Sequence, residues 1–154
     1  MFTIIEVYDL AIQIEKNGEA FYRNALKDLS HSALSPLFQW LAEEEVRHQK
    51  WFSQRKDSQK NALGNTDLED IGGEILKNIL GNQTFSLKEA DFSNIRDMVA
   101  LGKLAIQFEE DTIVFFEMIR TLIEDDKTLD QLNEIIEEER GHVRALQDFQ
   151  RLKD

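Results

Sequence analysis

The sequence predicts an all-α four-helix bundle with a long crossover between its second and third helices. Three observations predict it: an internal repeat displaced by 94 residues, apolar seams at alternating three- and four-residue spacing in four segments, and a composition with one Pro and seven Gly that leaves long stretches free to be helical. The run from Leu10 to Glu15, with Phe21 and Tyr22 behind it, returns from Leu104 to Glu109 with Phe115 and Phe116 behind it. Glu43, Glu44, Glu45 and His48 return at the same offset as Glu137, Glu138, Glu139 and His142, so the halves align without insertion or deletion.

The first helix is expected near residues 3 to 29, opened by Thr3 and Glu6 at capping-box spacing, with a seam of Tyr8, Ala11, Glu15, Gly18, Tyr22, Ala25 and Leu29. The second is expected near 32 to 60, with Pro36 in its first turn, where a missing N–H costs little, and a seam of Leu34, Phe38, Leu41, Glu45, His48 and Phe52. The third, near 93 to 124, carries Gly102, Ala105, Glu109, Thr112, Phe116, Ile119 and Ile123. The fourth, near 128 to 152, carries Leu132, Ile135, Glu139, His142, Leu146 and Phe149, with Thr128 and Gln131 as its expected capping box. Between the halves, residues 58 to 94 are richer in Gly, Asn, Ser and Asp, and a short amphipathic piece from Leu68 to Leu80 is expected to be helical. This connector must run end to end, because a helix of about 30 residues spans roughly 45 Å. The whole chain, 1–154, is expected to be one domain.

Composition narrows the chemistry. The absence of Cys excludes disulfides, thiolate catalysis and four-thiolate metal centres, and agrees with a reducing, cytoplasmic location. Glu6, Asp9 and Glu15 interrupt the first apolar residues, so no signal peptide is expected, and no apolar run is long enough to cross a bilayer. A formal charge of −12 repels phosphate backbones and anionic membrane surfaces, which makes nucleic acid and membranes poor partners.

With 30 acidic residues in the chain, a carboxylate alone is no evidence of a site. Position decides. Glu15, Glu45, Glu109 and Glu139 each interrupt an apolar seam near its middle, where an uncompensated charge would cost several kcal/mol. In Glu45–His48 and Glu139–His142 the Glu-x-x-His spacing puts both side chains on one helix face. Four carboxylates and two imidazoles form a hard oxygen and nitrogen ligand set sufficient for two metal ions. Glu15, Glu45 and His48 are expected to serve mainly one ion, with Glu109, Glu139 and His142 serving the other and Glu45 and Glu139 bridging. Glu43, Glu44, Glu137 and Glu138 lie off the seams and read as solvated. His31 reads as surface. Trp40 and Trp51 read as packing against the crossover or a second subunit.

Two further seam positions bear on activity. Gly18 and Thr112 are small and follow Glu15 and Glu109 by one turn, which leaves room for an exogenous oxidant. Tyr22 is the candidate catalytic side chain: its buried hydroxyl needs a partner, and Glu109 of the opposite half is the expected acceptor. The alternative is a core tyrosine bonded to a backbone carbonyl or a water.

On Glu15, Tyr22, Glu45 and His48, and then Glu109, Glu139 and His142, the chain resembles the rubrerythrin branch of the ferritin-like di-iron carboxylate superfamily over nearly its whole length. The resemblance implies a ferritin-like bundle holding two iron ions. The sequence departs from rubrerythrins proper in lacking the Cys-held rubredoxin-type centre, in placing Thr112 where the family has an additional Glu, and in having Phe116 for the second Tyr. It is most similar to the short stand-alone forms, so electrons are expected from an external donor such as rubredoxin. Three functions stay open at this stage. They are a di-iron peroxidase or oxidase acting on H2O2 or O2, an iron-binding ferroxidase for iron handling, and a homodimeric bundle with a site that does not turn over. Manganese is the alternative metal.

Overall fold

The computed structural model describes residues 3–28, 33–63 and 98–153. They form four helices: α1 (Ile4–Asp28), α2 (Ser35–Leu63), α3 (Met98–Arg120) and α4 (Asp126–Lys153). The four-helix bundle expected from the seams is the fold observed. α1 packs along α2 and α3 along α4, while α1 also touches α3 and α2 touches α4.

Cross-helix pairs fix the directions. Asp9 pairs with Lys56, and Glu19 accepts from Gln49 at 3.0 Å, so α1 and α2 are antiparallel. Glu117 pairs with Arg140 at 2.7 Å and Gln150 donates to the Val99 carbonyl at 2.9 Å, so α3 and α4 are antiparallel too. Trp51 donates to Gln131 at 3.2 Å and Arg47 pairs with Glu138, which sets α4 against α2 in the same sense. Leu63 and Met98 therefore lie at opposite ends of the bundle. Beyond Leu63, the connector expected over 58–94 and its amphipathic piece lie outside the described residues, as do His31 and Leu29.

The seams are buried as drawn: every described position on them is buried except Phe149, which is half-buried. The boundaries need four corrections, the first being that α2 begins at Ser35, after a turn at Ala33 and Leu34, rather than near 32. Ser58 to Leu63 continue α2 rather than begin the connector. The third helix ends at Arg120, not 124, because Leu122 N–H turns back to the Ile119 carbonyl at 2.9 Å and Thr121 closes on Met118 through both its N–H and its hydroxyl. The fourth begins at Asp126, and its cap is Asp125, whose carboxylate accepts the Thr128 N–H at 2.9 Å and the Thr128 hydroxyl. Thr128 is thus the capped residue rather than the cap. At the other end, the Thr3–Glu6 box is formed reciprocally, at 3.0 and 3.2 Å.

Two aromatic layers close the bundle above and below its middle. Tyr22 packs edge-on against Phe21 and Phe38, with ring centroids 5.2 and 4.9 Å apart, and Phe52 packs against Phe116 at 5.1 Å. The slab between them is buried. That slab holds the polar residues of the seams.

Candidate metal centre

Glu15, Glu45, His48, Glu109 and Glu139 are fully buried and His142 is 1% exposed, so all six expected ligands converge in one dry volume. Each helix delivers its share by its heptad-like register: α1 brings Glu15, α3 brings Glu109, and α2 and α4 each bring a Glu and, one turn on, a His. Both imidazoles aim Nδ1 inward. His48 Nδ1 lies 2.8 Å from Glu139 and 3.4 Å from Glu15, and His142 Nδ1 lies 3.0 Å from Glu139 and 3.6 Å from Glu109. The two rings stand nearly parallel with centroids 5.9 Å apart.

Among the described residues, donor atoms lie within 4.8 Å of one another in two groups: Glu45, Glu109, Glu139 and His142, and Glu15, His48 and Glu139. Glu139 belongs to both, as expected of a bridge. Glu45, the other expected bridge, groups by distance with Glu109, Glu139 and His142. Gly18 is the reason it can sit where it does. A Cβ there would lie 2.8 Å from Phe108 Cε1 and 2.9 Å from Glu45 Cδ, so the bare backbone of α1 cradles the Glu45 carboxylate. The room foreseen over Gly18 is therefore filled by Glu45 and Phe108.

Both oxygens of Glu15 and of Glu45, and Glu109 Oε2, have no hydrogen-bond donor. Buried acceptors of this kind cost several kcal/mol unless something positive meets them. Burial, then the neighbouring Glu139, pushes Glu15 far above the ordinary carboxylate range. Burial, then Glu15 and Glu109, does the same to Glu45. Burial and Glu139 raise Glu109 to about 7. Glu139 goes the other way: burial would raise it, but His48 and His142 outweigh burial and hold it well below its usual value. Burial would also lower the two imidazoles. Facing Glu139 and Glu138, His48 instead rises to about 10, and His142, facing Glu109 and Glu139, rises to about 11. Without metal the cluster thus keeps protons at neutral pH to limit its own repulsion. Buried carboxylate oxygens without hydrogen-bond partners beside two imidazole nitrogens fit a pair of divalent cations.

The Tyr22 hydroxyl donates to Glu109 Oε1 at 2.6 Å, across from α1 to α3. Phe116, its counterpart, has no hydroxyl to offer Glu15. Thr112, buried where the additional Glu of rubrerythrins would stand, turns its hydroxyl back to the Phe108 carbonyl at 2.8 Å.

Three residues near the centre were read otherwise from sequence. Glu138, taken as solvated, accepts from His48 Nε2 at 2.7 Å. Its counterpart Glu44 lies 3.9 Å from His142 Nε2. Trp40 is 41% exposed, yet its indole packs edge-on against the His142 ring at 5.1 Å. The signal that could have found the two glutamates was the repeat itself: Glu44 and Glu138 share one register, and a His ligand ordinarily needs an acceptor for its outer nitrogen. Trp51 packs edge-on against its neighbour Phe52 at 5.0 Å and reaches Gln131 on α4, while the crossover expected to cover it lies outside the described residues. Beside it a cavity of about 330 Å³ opens between α2 and α4 and reaches His48 and Glu138.

The rubrerythrin family model matches residues 6–150. The chain belongs to the rubrerythrin family. Among solved structures, a protein of Thermotoga maritima described as a ferritin-like diiron-carboxylate protein superposes with a TM-score of 0.71 at 20% identity, over 99% of this chain and 97% of the other. A hypothetical protein from Pyrococcus furiosus superposes with a TM-score of 0.72 at 18% identity, over 98% and 90%. No curated protein matches the chain. At these identities the likeness carries the fold, and the family match together with the buried carboxylate and histidine cluster fits a two-metal rubrerythrin centre. No described helix is long and apolar enough to cross a membrane.

Proposed function

We propose that this rubrerythrin-family chain is a di-iron peroxidase or oxidase that reduces H2O2 or O2 with electrons from an external donor such as rubredoxin. The observation that carries the reading is the set of donor atoms left without hydrogen-bond partners on Glu15, Glu45 and Glu109 in a buried slab flanked by aromatic contacts. Two ferrous ions bound there would supply an electron pair to an oxidant without release of a one-electron radical. Glu15, His48 and Glu139 would hold one, and Glu45, Glu109, Glu139 and His142 the other. Tyr22 holds a proton at its hydroxyl, 2.6 Å from Glu109, where it can steady or neutralise charge that changes on that carboxylate. The cavity between α2 and α4 brings solvent to within one imidazole of the cluster, a path for small molecules and protons. The ligand set contains no thiolate and also suits manganese.

The test is anaerobic ferrous loading followed by separate mixing with H2O2 and O2. Oxidation should be faster with H2O2, and a rubredoxin-like donor should sustain turnover. Faster reaction with O2, release of ferric product and no donor-dependent turnover would establish iron handling instead. No reaction with either oxidant would leave a metal-binding bundle without turnover.

A further inference from the structure

The 94-residue register equates Glu44 with Glu138 and Arg47 with Gly141. Around the first pair the chain is not symmetric. His48 Nε2 has Glu138 at 2.7 Å, whereas His142 Nε2 has Glu44 only at 3.9 Å and makes no hydrogen bond. Arg47 accounts for the difference. Its Nε and Nη2 hold Glu44, three residues back on α2, at 2.7 and 3.2 Å, and Nη2 also pairs with Glu138 across the α2–α4 interface. The guanidinium thus steadies Glu138 where it meets His48 and draws Glu44 away from His142. Gly141 has no side chain with which to do the reverse.

A histidine that ligates through Nδ1 presents its other N–H outward, and a carboxylate acceptor there fixes the ring and raises its basicity; loss of such an acceptor typically lowers metal affinity about 10- to 100-fold. We propose that Arg47 is a positioning residue that makes the two metal positions unequal, tightening the one served by His48 through Glu138 and leaving the His142 ring without an outer acceptor. The inference rests on the two-metal reading of the site. Its sign is opposite to that of simple charge. Removing a nearby cation should, by Coulomb attraction alone, strengthen cation binding at both positions; removing Arg47 should weaken it at His48.

The chain has three histidines, so ¹⁵N-histidine spectra recorded during Zn2+ titration of the full-length protein report the rings separately, with His31→Gln and His142→Gln assigning the three signals. In Arg47→Gln the midpoint for the His48 ring should rise about 10-fold or more while that for His142 stays or falls, and Glu138→Gln should reproduce the His48 effect. The exchange variant Arg47→Gly with Gly141→Arg should transfer the advantage to His142. A Cβ at Gly141 meets only Arg144 Nη2, at 3.7 Å, and Arg47 is 53% exposed, so neither change disturbs the core. Equal shifts of both rings, or tighter binding at His48 without Arg47, would overturn the proposal. If neither wild-type ring responds to Zn2+, the two-metal reading itself falls first.

Discussion

Residues 4–63 and 98–153 carry the same ligands at the same register, yet equivalent ligands live in different surroundings. Glu45 has no donor on either oxygen and is driven towards protonation, whereas Glu139 sits between two imidazoles and stays ionised. Glu109 receives the Tyr22 hydroxyl, whereas Glu15 has no hydrogen-bond donor on either oxygen and lies 3.4 Å from His48 Nδ1. The duplication fixed the inner ring of six residues. Substitutions around that ring, at Gly18 against Thr112, Tyr22 against Phe116 and Arg47 against Gly141, then set the two halves apart.

The largest expected effect comes from breaking the shared ligand. Glu139 lies in both donor groups and Glu15 in one, so Glu139→Ala should take the metal content of the reconstituted protein from near two ions towards zero, and Glu15→Ala should leave about one. Elemental analysis decides, with circular dichroism to show that the helices persist. Equal losses in the two variants would mean that Glu139 is not a bridge.

A second difference lies between the metal-free and metal-bound states. His48 and His142 are raised from 6.5 to about 10 and 11, so the stability they contribute is present below about pH 6.5 and lost as pH rises through 10 to 11. Glu109, raised from 4.5 to about 7, likewise contributes stability that is lost as pH rises through 7, and Glu15 and Glu45 act in the same direction. Glu139 is lowered, so its contribution is lost only as pH falls below its ordinary 4.5. The metal-free protein should therefore be most stable in mildly acidic solution and weaken above neutrality. Metal binding displaces those protons and tightens with pH. At a 100-fold excess over Kd it adds about 2.7 kcal/mol, or roughly 5 to 10 °C in Tm for a chain this size. Melts at pH 5.5 and pH 8 should show the larger metal-induced gain at pH 8; a gain independent of pH would contradict the proton inventory.

How much of this was legible beforehand follows from what each feature depends on. Seam burial depends on periodicity alone, and the periodicity is printed twice in the chain; only Phe149, near the end of α4, is less buried than its position predicted. Helix ends depend on local competition, and Asp125 outcompetes Thr128 as a cap because its carboxylate reaches both the N–H and the hydroxyl of Thr128. The six candidate ligands were legible because a carboxylate on an apolar seam needs a reason. Glu138 was harder to read, because a carboxylate on a polar face needs none; its shared register with Glu44 was the one hint, and the distance to His48 gives it a role. The place of Glu45 depends on an absent atom, the Cβ of Gly18, which no spacing rule encodes.

That cradle supplies a smaller test. In Gly18→Ala the new Cβ must move the Glu45 carboxylate or the Phe108 ring, since α1 backbone cannot yield. Affinity for the ion served by Glu45 should fall by about 10-fold or more, the scale of a displaced supporting contact. Thr112→Ala at the equivalent position removes only a hydroxyl already turned to its own helix, so metal binding should hardly change. Matching losses in the two variants would show that the halves tolerate side chains alike and that the Gly18 contact has no bearing on the ligands.

The smallest effect on metal content, and the one most specific to reactivity, concerns Tyr22. Its hydroxyl is buried, donates to Glu109 at 2.6 Å, and is itself raised in pKa by burial and then by Glu109, so it remains a donor at any physiological pH. A hydrogen bond to a charged group contributes roughly 1.5 to 3 kcal/mol, a magnitude that shifts the basicity of a ligand without deciding whether the ion binds. Tyr22→Phe leaves the ring packing against Phe21 and Phe38 in place and makes α1 match α3, where Phe116 already stands. Metal content should stay near two ions, while the rate of oxidation by H2O2 and the spectrum of the oxidised centre should both change. Phe116→Tyr is the complementary variant, offering Glu15 the donor it lacks. If Tyr22→Phe oxidises at the wild-type rate with an unaltered spectrum, the hydroxyl serves only to satisfy Glu109 in the folded core.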